Sequence, residues 1–400
     1  MLEYWIPGNP SVHHSNTPIM HCTNFYRRHM MKLFSLTSAL LTAALFLGGA
    51  NVHAAAAPSA LQKAKQEAES KGYLFLASRE EILARAKKEG RMRVLSSQEP
   101  DAIKAMTAAF KKKYPFIDAR VEEIAGLENY QRILQEMKAG LAKSWDANYL
   151  AFDFYSEFVP YQKKFDILGM AEQGVVQISP KLIDPFNRNV VAIQSNMQVV
   201  AYNKEMIAAD KVPNTWEDFT APELKGKKFL LDIRPKLLAA LVPLWGLEKV
   251  VDLARRLAAQ QPVWFRGESR QLTQMVAGEH AIMAGPNYKS AKTTRDPRQL
   301  LEIKIVEPVP ARFSEVQAVL NAAANPHAAL LWLEFQASAE GQKILDDIDY
   351  AATIHTPGSV HERLTRGKKV SILAWEHFAK MGDYEKEIIK AYGFPRADTK

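Results

Sequence analysis

Cysteine is almost absent from this chain of 400 residues, because Cys22 is the only one. We expect translation to start at Met30 or Met31, since the segment before them has no pattern of its own, and this start removes Cys22. A mature chain without a thiol forms no disulfide and holds no thiolate metal site. It also has no cysteine nucleophile and no cysteine to carry a lipid anchor.

Long apolar runs are equally scarce, and the longest covers residues 33–50. Basic residues precede this run, and Val52-His53-Ala54 follows it as a small-x-small cleavage pattern. This order predicts a cleaved secretory signal peptide, so residues 1–54 are an upstream segment and signal peptide. The alternative is a membrane anchor, but the Ser, Thr and Gly inside the run favour cleavage. The mature protein is therefore expected free in the periplasm.

Common catalytic signatures are missing as well. The chain has no G-x-S-x-G elbow, no H-E-x-x-H pair and no phosphate-binding loop. His280, His327 and His355 have no partner at metal-ligand spacing. We therefore predict that the protein is not an enzyme and needs no cofactor.

A concentrated basic stripe is also lacking. The net charge is +8 and falls to +6 without residues 1–54, with Lys and Glu interspersed along the chain. This distribution excludes nucleic-acid binding and suits a surface that attracts anions weakly. The remaining residues, about 345, are too many for one ordinary core and enough for two lobes of a monomer.

The apolar pattern that is present predicts alternating strands and helices. Strands are predicted at 91–97, 118–125 and 151–154, with helices between them, which is typical of parallel βαβ units. The long β-branched run 189–202 is predicted to pass from one lobe into another. A second long strand, 303–309, is predicted to carry the chain back.

Later segments add helices and further strands. A helix stripe runs from Leu247 to Leu257, and another helix is predicted over 328–345. Between these helices the pattern predicts short strands, so the fold class is α/β.

Several sequence pieces in order resemble the bacterial extracellular solute-binding proteins, in the family that includes the periplasmic ferric-ion-binding proteins. The pieces are AKKEG before RVLSSQE, then FDFYSEFVP, VVAYNK, PNTWEDF, LKGK and QMVAGEHAIMAGPNY. The resemblance covers about residues 78–345.

The resemblance implies a two-lobed type II periplasmic binding fold, with two crossing strands near Gln194–Gln198 and Pro308–Ser314. Lobe 1 would comprise 78–193 and 310–400, and lobe 2 would comprise 194–309. Solute would be held between the lobes, whose closure presents them to an inner-membrane ABC permease and its ATPase.

In the ferric-binding relatives the ion is held by a histidine or acidic residue, a glutamate and two adjacent tyrosines, which are hard oxygen donors. The resemblance places Glu157 at the glutamate position and Glu99 where a histidine often lies. Tyr288 matches the first tyrosine, but Lys289 replaces the second, and an ammonium cannot bind iron. Glu157 and Tyr288 are thus metal ligands only if the transported solute is Fe³⁺.

Other candidates favour an anion. Arg234 and Arg266 follow strands, where a guanidinium can bind a carboxylate or phosphonate in a bidentate fork. The resemblance also implies an anion site at the helix N-terminus after Arg266, and Phe154 and Phe313 could line the pocket. The candidate ligand-binding residues are Ser97, Gln98, Tyr155, Glu157, Asn196, Gln198, Arg234, Arg266, Gly267, Glu268, Tyr288 and Lys289.

Three functions remain open on this basis. The leading hypothesis is capture of a small organic or phosphorus-containing anion for import through an ABC transporter. The first alternative is ferric-ion import, in which an exogenous anion completes the metal's ligands. The second alternative is a ligand-sensing protein that serves a membrane receptor.

Overall fold

The computed structural model describes residues 59–151 and 154–394. The predicted upstream segment and signal peptide, residues 1–54, lie outside the described residues. The α-helices are α1 (Ala60–Ser70), α2 (Arg79–Glu89), α3 (Pro100–Lys113), α4 (Leu127–Lys138), α5 (Tyr155–Phe158), α6 (Ile167–Glu172), α7 (Lys236–Ala239), α8 (Val242–Trp245), α9 (Leu247–Ala259), α10 (Glu268–Val276), α11 (Tyr288–Thr293), α12 (Pro326–Ala337), α13 (Ala339–Asp349), α14 (Val360–Thr365), α15 (Trp375–Phe378) and α16 (Met381–Tyr392). The strands are β1 (Arg91–Ser96), β2 (Asp118–Glu123), β3 (Ala147–Tyr149), β4 (Val190–Asn203), β5 (Leu230–Asp232), β6 (Val263–Phe265), β7 (Ile282–Asn287), β8 (Leu301–Lys304), β9 (Val309–Val319) and β10 (Val370–Leu373).

The strands form one continuous hydrogen-bonded path in the order β2-β1-β3-β9-β4-β7-β5-β6, with β8 on β4 and β10 on β9. The pairs β1–β2, β1–β3, β5–β6 and β5–β7 are parallel. In contrast, β4 runs antiparallel to β7, β8 and β9. The parallel strands on both sides therefore have their carboxyl ends near the middle of the long strands β4 and β9.

Those two long strands cross between the lobes, as the sequence predicted. The first half of β4 pairs with β9 from Val190 to Met197, and its second half pairs with β7 and β8 from Gln198 onward. The returning strand, however, is β9 rather than a strand over 303–309. That run is divided between β8, which ends at Lys304, and β9, which begins at Val309.

The third strand also differs from the sequence prediction. It lies at Ala147–Tyr149, ahead of the predicted 151–154, and it pairs with β1 and β9. Residues 152 and 153 of that prediction lie outside the described residues. The buried Asn148 interrupts the apolar pattern of this strand, and its Nδ2 donates to the carbonyl of Tyr149 at 2.8 Å. A polar residue in so short a buried strand conceals it from hydropathy patterning.

Helices pack on both sides of the crossing strands. Near β1, the buried helix α12 contacts α2 and α3, and Phe110 of α3 lies edge-on to Trp332 with ring centroids 5.2 Å apart. No described helix meets the length and hydropathy that a bilayer-spanning segment requires.

The last part of the chain packs with the elements between β5 and β6. Helix α16 lies against α7 and α9, and the ring of its Tyr392 contacts Trp264 of β6 at 4.7 Å between centroids. The predicted lobe boundaries at 193/194 and 309/310 stay predictions. We propose one revision, in which α16 belongs with lobe 2 instead of lobe 1, because it packs on α7 and α9.

Candidate functional site

A small polar cavity lies where β5 and β7 end beside the crossing strand β4. Its volume is about 30 Å³, close to the share of one water molecule in the liquid. Polar side chains from five separate parts of the chain line it. They are Gln198, Asp232, Arg234, Lys236, Glu268, Asn287 and Tyr392.

One wall of this cavity is a relay of hydrogen bonds that starts at Glu268. The Glu268 carboxylate accepts from the backbone N and Nδ2 of Asn287 at 3.1 and 2.6 Å and from the hydroxyl of Ser290 at 2.6 Å. The Oδ1 atom of Asn287 accepts from Nε2 of Gln198 at 3.2 Å. Glu268 therefore orients both amides and is saturated by donors of the protein itself.

The opposite wall carries several positive charges. Arg234 donates to Asp232 through Nε at 3.2 Å and Nη2 at 2.7 Å, so its guanidinium already forms a bidentate pair within the protein. The Lys236 ammonium makes no hydrogen bond or ion pair within the described part of the chain. The Arg312 guanidinium, burial and Arg234 together lower the pKa of Lys236 from its usual value to about 8. An ammonium in this position is available to an anion from outside.

Gly285 allows this wall to be built. Its φ of +77° lies in the left-handed region that favours glycine. A Cβ there would come within 2.8 Å of the Leu237 side chain, on the helix that carries Lys236. The missing side chain thus lets β7 approach α7 closely enough to form the cavity.

A second charged contact joins the two lobes. Nζ of Lys289, at the start of α11, lies 3.5 Å from Oε1 of Glu99 and 3.2 Å from Oδ1 of Asp349. Glu99 precedes α3, and Asp349 ends α13, whereas α11 follows β7 in the other lobe. Burial raises the pKa of Asp349, and the Lys289 ammonium opposes that rise.

Gln198, Arg234 and Glu268 are thus the predicted candidates that share the cavity, and Lys289 forms the contact between lobes. Ser97 and Gln98 have other partners. The Ser97 hydroxyl and backbone N donate to Glu315, which is fully buried, and burial raises the pKa of that carboxyl. Gln98 is buried and donates to Oε1 of Gln336 at 2.8 Å. Both side chains therefore stabilise the interior of lobe 1.

Tyr155 and Glu157, which were predicted as ligand-binding residues from the FDFYSEFVP segment, also lie outside the cavity. The Tyr155 hydroxyl donates to Asp184, and burial with that carboxylate raises its pKa. The exposed Glu157 carboxylate pairs with Lys138 at 2.6 Å. Phe313 packs against Trp375, with ring centroids 5.1 Å apart. The side chains of Tyr155, Glu157 and Phe313 thus contact other residues of the protein, and none of them lines the cavity.

The remaining candidates are spread around the cavity. Arg266 and Gly267 are exposed before α10, and Gly267 has a φ of +93°. Asn196 pairs with Arg312 where the two long strands cross. Tyr288 faces Tyr350 and His361, at 6.3 and 6.0 Å between ring centroids. Its ring lines a separate open cavity beside β8.

A preformed metal centre is not evident among residues 59–151 and 154–394, where no three His, Cys, Asp or Glu side chains could hold an ion together. Glu157 and Tyr288 share no contact within these ranges. Lys289 directs its ammonium at the carboxylates of Glu99 and Asp349, so both acids already contact a cation of the protein. The donor set that the resemblance implies is therefore not assembled in this state.

Sequence reasoning missed Lys236, Asn287, Arg312 and Tyr392. Lys236 and Asn287 lie within two residues of the predicted Arg234 and Tyr288, so inspection of both sides of each strand end would have found them. Tyr392 carries no such signal, because only the packing of α16 on α9 brings it to the cavity.

The fold and this cavity at the crossing strands define a two-lobed binding protein. Residues 152–381 match the family of bacterial extracellular solute-binding proteins. The chain belongs to this family. No curated protein matches it.

Solved structures with the same fold include the following three proteins. One is the apo ferric ion-binding protein A of Pasteurella haemolytica, with 18% identity and a TM-score of 0.60 over 77% of this chain and 100% of that one. The Trichodesmium protein in complex with iron and citrate has 18% identity and a TM-score of 0.56, over 76% and 98%. The substrate-binding protein of an ABC transporter from Agrobacterium tumefaciens has 19% identity and a TM-score of 0.58, over 77% and 96%.

Proposed function

We propose that this chain is a periplasmic protein, exported through a cleaved signal peptide, that captures a solute between its lobes and delivers it to an ABC permease. Membership of the extracellular solute-binding family supports the capture role, and the Agrobacterium relative is described as the binding component of such a transporter. Two crossing strands allow the lobes to close on a ligand as nearly rigid bodies. Binding and release, without catalysis, are sufficient for this role.

We propose further that the solute is a small organic or phosphorus-containing anion. The observation that carries this proposal is the Lys236 ammonium, which is half-buried, beside two arginines and without an ion-pair partner among the described residues. Clustered cations in a partly buried position repel one another, and a bound anion removes that repulsion. Asp232 and Glu268, the acids of the same cavity, are held by other donors and offset the neighbouring positive charges at Lys236 only in part.

Ferric ion is the second candidate, and the names of the relatives favour it over the anion. Several neighbours with the same fold are described as ferric-ion binders, and one holds iron together with citrate. The side chains of this chain favour the anion, because Lys289 stands where a second tyrosine would be needed. A ferric ion carried as an anionic chelate would satisfy both observations through Lys236.

The test is isothermal titration and thermal melting of the purified protein with carboxylates, phosphonates, phosphate, ferric ion and ferric citrate. A solute that binds only the folded state adds about 2.7 kcal/mol at a hundredfold excess over Kd, a shift of several degrees. We expect an anion to bind, and Lys236→Met to weaken it by about tenfold or more. The control Lys225→Met removes an exposed lysine of the same lobe and should have no effect.

The opposite result is equally clear. Binding of free ferric ion with a visible tyrosinate colour that Tyr288→Phe removes would overturn the anion proposal. It would make the protein a ferric carrier. If no anion binds and Lys236→Met changes nothing, the cavity is not the solute site.

A further inference from the structure

We infer that the solute carries a hydroxyl group beside its anionic group, and that the cavity at Gln198 and Tyr392 recognises this hydroxyl. The inference deepens the proposed function and rests on it, since it assumes that Lys236 attracts the anion. It adds the class of solute, a hydroxyl-bearing anion, and a role for the C-terminal helix α16.

The first step is the orientation of the Gln198 amide. The Glu268 carboxylate oxygens accept from the backbone N–H and from Nδ2 of Asn287, so Oδ1 of Asn287 faces Gln198. That oxygen accepts Nε2 of Gln198, which leaves Oε1 of Gln198 as an acceptor. Gln198 is 1% exposed, and this Oε1 has no partner among the described residues. A buried carbonyl without a donor is costly unless something else supplies one.

The second step is the Tyr392 hydroxyl. Tyr392 is 6% exposed, and its ring is held against Trp264 and Phe394 with centroids 4.7 and 5.5 Å away. Its hydroxyl lines the same cavity and has no hydrogen bond within the described part of the chain. Buried tyrosine hydroxyls ordinarily find a partner. The cavity therefore contains two buried polar groups that no residue in the described ranges satisfies.

The third step is the kind of group that fits. Gln198 needs a donor, whereas the Lys236 ammonium needs an acceptor. A carboxylate oxygen would leave Gln198 unsatisfied, and an ammonium would be repelled by Lys236. A hydroxyl both donates and accepts, and a cavity of about 30 Å³ holds one such group. The anionic group of the same solute then lies outside the cavity, within reach of Lys236.

The test compares anions that differ by one hydroxyl, in titrations of the purified protein. The carboxylate pairs are malate with succinate and citrate with tricarballylate, and the phosphate pair is 2-hydroxyethyl phosphate with ethyl phosphate. We expect at least one hydroxylated member to bind about tenfold or more tightly than its partner. Whichever pair shows this preference identifies the source of the anionic group.

Variants assign the preference to the cavity. Tyr392→Phe and Gln198→Met should each reduce the preference toward one, because each weakens binding of the hydroxylated member more than binding of the deoxy member. The matched control is Tyr384→Phe on the same helix, whose hydroxyl instead contacts Nδ1 of His377 at 3.1 Å. That variant should keep the full preference.

Two failures are distinguishable. If anions bind but both members of every pair bind equally, the inference is wrong and the proposed function stands, with an ordinary water molecule as the occupant of the cavity. The same conclusion follows if Tyr392→Phe and Gln198→Met leave the preference intact. If no anion binds, the proposed function fails and the inference fails with it.

Discussion

Lys236 is surrounded by charges from three different elements. Arg312 of β9 and Arg234 beside β5 disfavour its protonated form, and Glu268 of α10 and Asp232 of β5 favour it. The result is a pKa of about 8, compared with an ordinary value of 10.5. The ammonium is therefore mostly present at neutral pH but is lost a little above it.

This titration predicts how anion binding depends on pH. A bound anion raises the pKa of Lys236, so the complex holds a proton that the free protein loses as pH rises through about 8. The affinity should be constant below that pH and then fall by up to about tenfold per pH unit. Titration calorimetry between about pH 6 and pH 10 measures this fall. Lys236→Arg should flatten the curve, and a wild-type affinity that stays constant to high pH would contradict the prediction.

The stability of the ligand-free protein should change in the opposite direction. The folded pKa of Lys236 is below its ordinary value, so the unfolded chain binds more protons between about pH 8 and 10.5. Lys236 therefore contributes an increase in the free energy of unfolding with rising pH across this window.

At the residue scale, the sequence predicted part of the site. Residues at the ends of predicted strands, such as Arg234, were found because parallel strands present their carboxyl ends together. Tyr392 could not be found, since nothing in its own segment indicates where α16 docks. Ser97 and Gln98 also follow a strand. However, Ser97 donates a hydrogen bond to the buried Glu315, and Gln98 donates one to Gln336.

At the scale of elements, the helix predicted over 328–345 is two helices. Ser338 ends α12 and caps α13, where its hydroxyl accepts from the backbone N of Gly341 at 3.2 Å. The apolar periodicity continues across the break, so the pattern alone does not reveal it. The capping serine three residues before Gly341 is the local signal.

Gly341 is packed tightly against this break. A Cβ there would lie 2.7 Å from the carbonyl oxygen of Gln336, and the carbonyl of Phe335 would be closer still. Gly341→Ala should therefore lower the free energy of unfolding by about 1–3 kcal/mol, because backbone atoms must move.

The matched control is Gly382→Ala in the first turn of α16, where a Cβ meets nothing within 4 Å. It should be neutral or stabilise by up to about 1 kcal/mol, since alanine favours the helix. Urea unfolding of both variants measures the difference. Equal stability of the two variants would mean that the break between α12 and α13 relaxes without cost.

At the scale of the whole molecule, the two-lobed α/β fold was predictable because its signals are long. The run 189–202 differs by only one residue at each end from β4 (Val190–Asn203). The alternation of strands and helices along the chain predicts the layers of sheet and helix. What the sequence could not indicate is how the lobes contact each other. That contact depends on Lys289 meeting Glu99 and Asp349, which are remote in sequence and come together only after folding.

These ion pairs should hold the ligand-free protein partly closed. The Asp349 side chain is only 4% exposed, so its carboxylate depends on the Lys289 ammonium. Exposed pairs such as Lys289–Glu99 contribute about 0–1 kcal/mol, but a buried carboxylate that loses its partner is destabilised by several times as much. Opening of the lobes lets water reach Asp349 and relieves that penalty.

We therefore predict that Lys289→Met opens the ligand-free protein, which small-angle X-ray scattering would detect as a larger radius of gyration. Wild-type protein should open partially as salt is added, because screening weakens the exposed pair with Glu99 more than the buried pair. Lys292→Met is the control, since this exposed lysine of α11 makes no ion pair with the described residues. If Lys289→Met and Lys292→Met have the same radius of gyration as the wild type, closure does not depend on this contact. The crossing strands would then set the angle between the lobes by themselves.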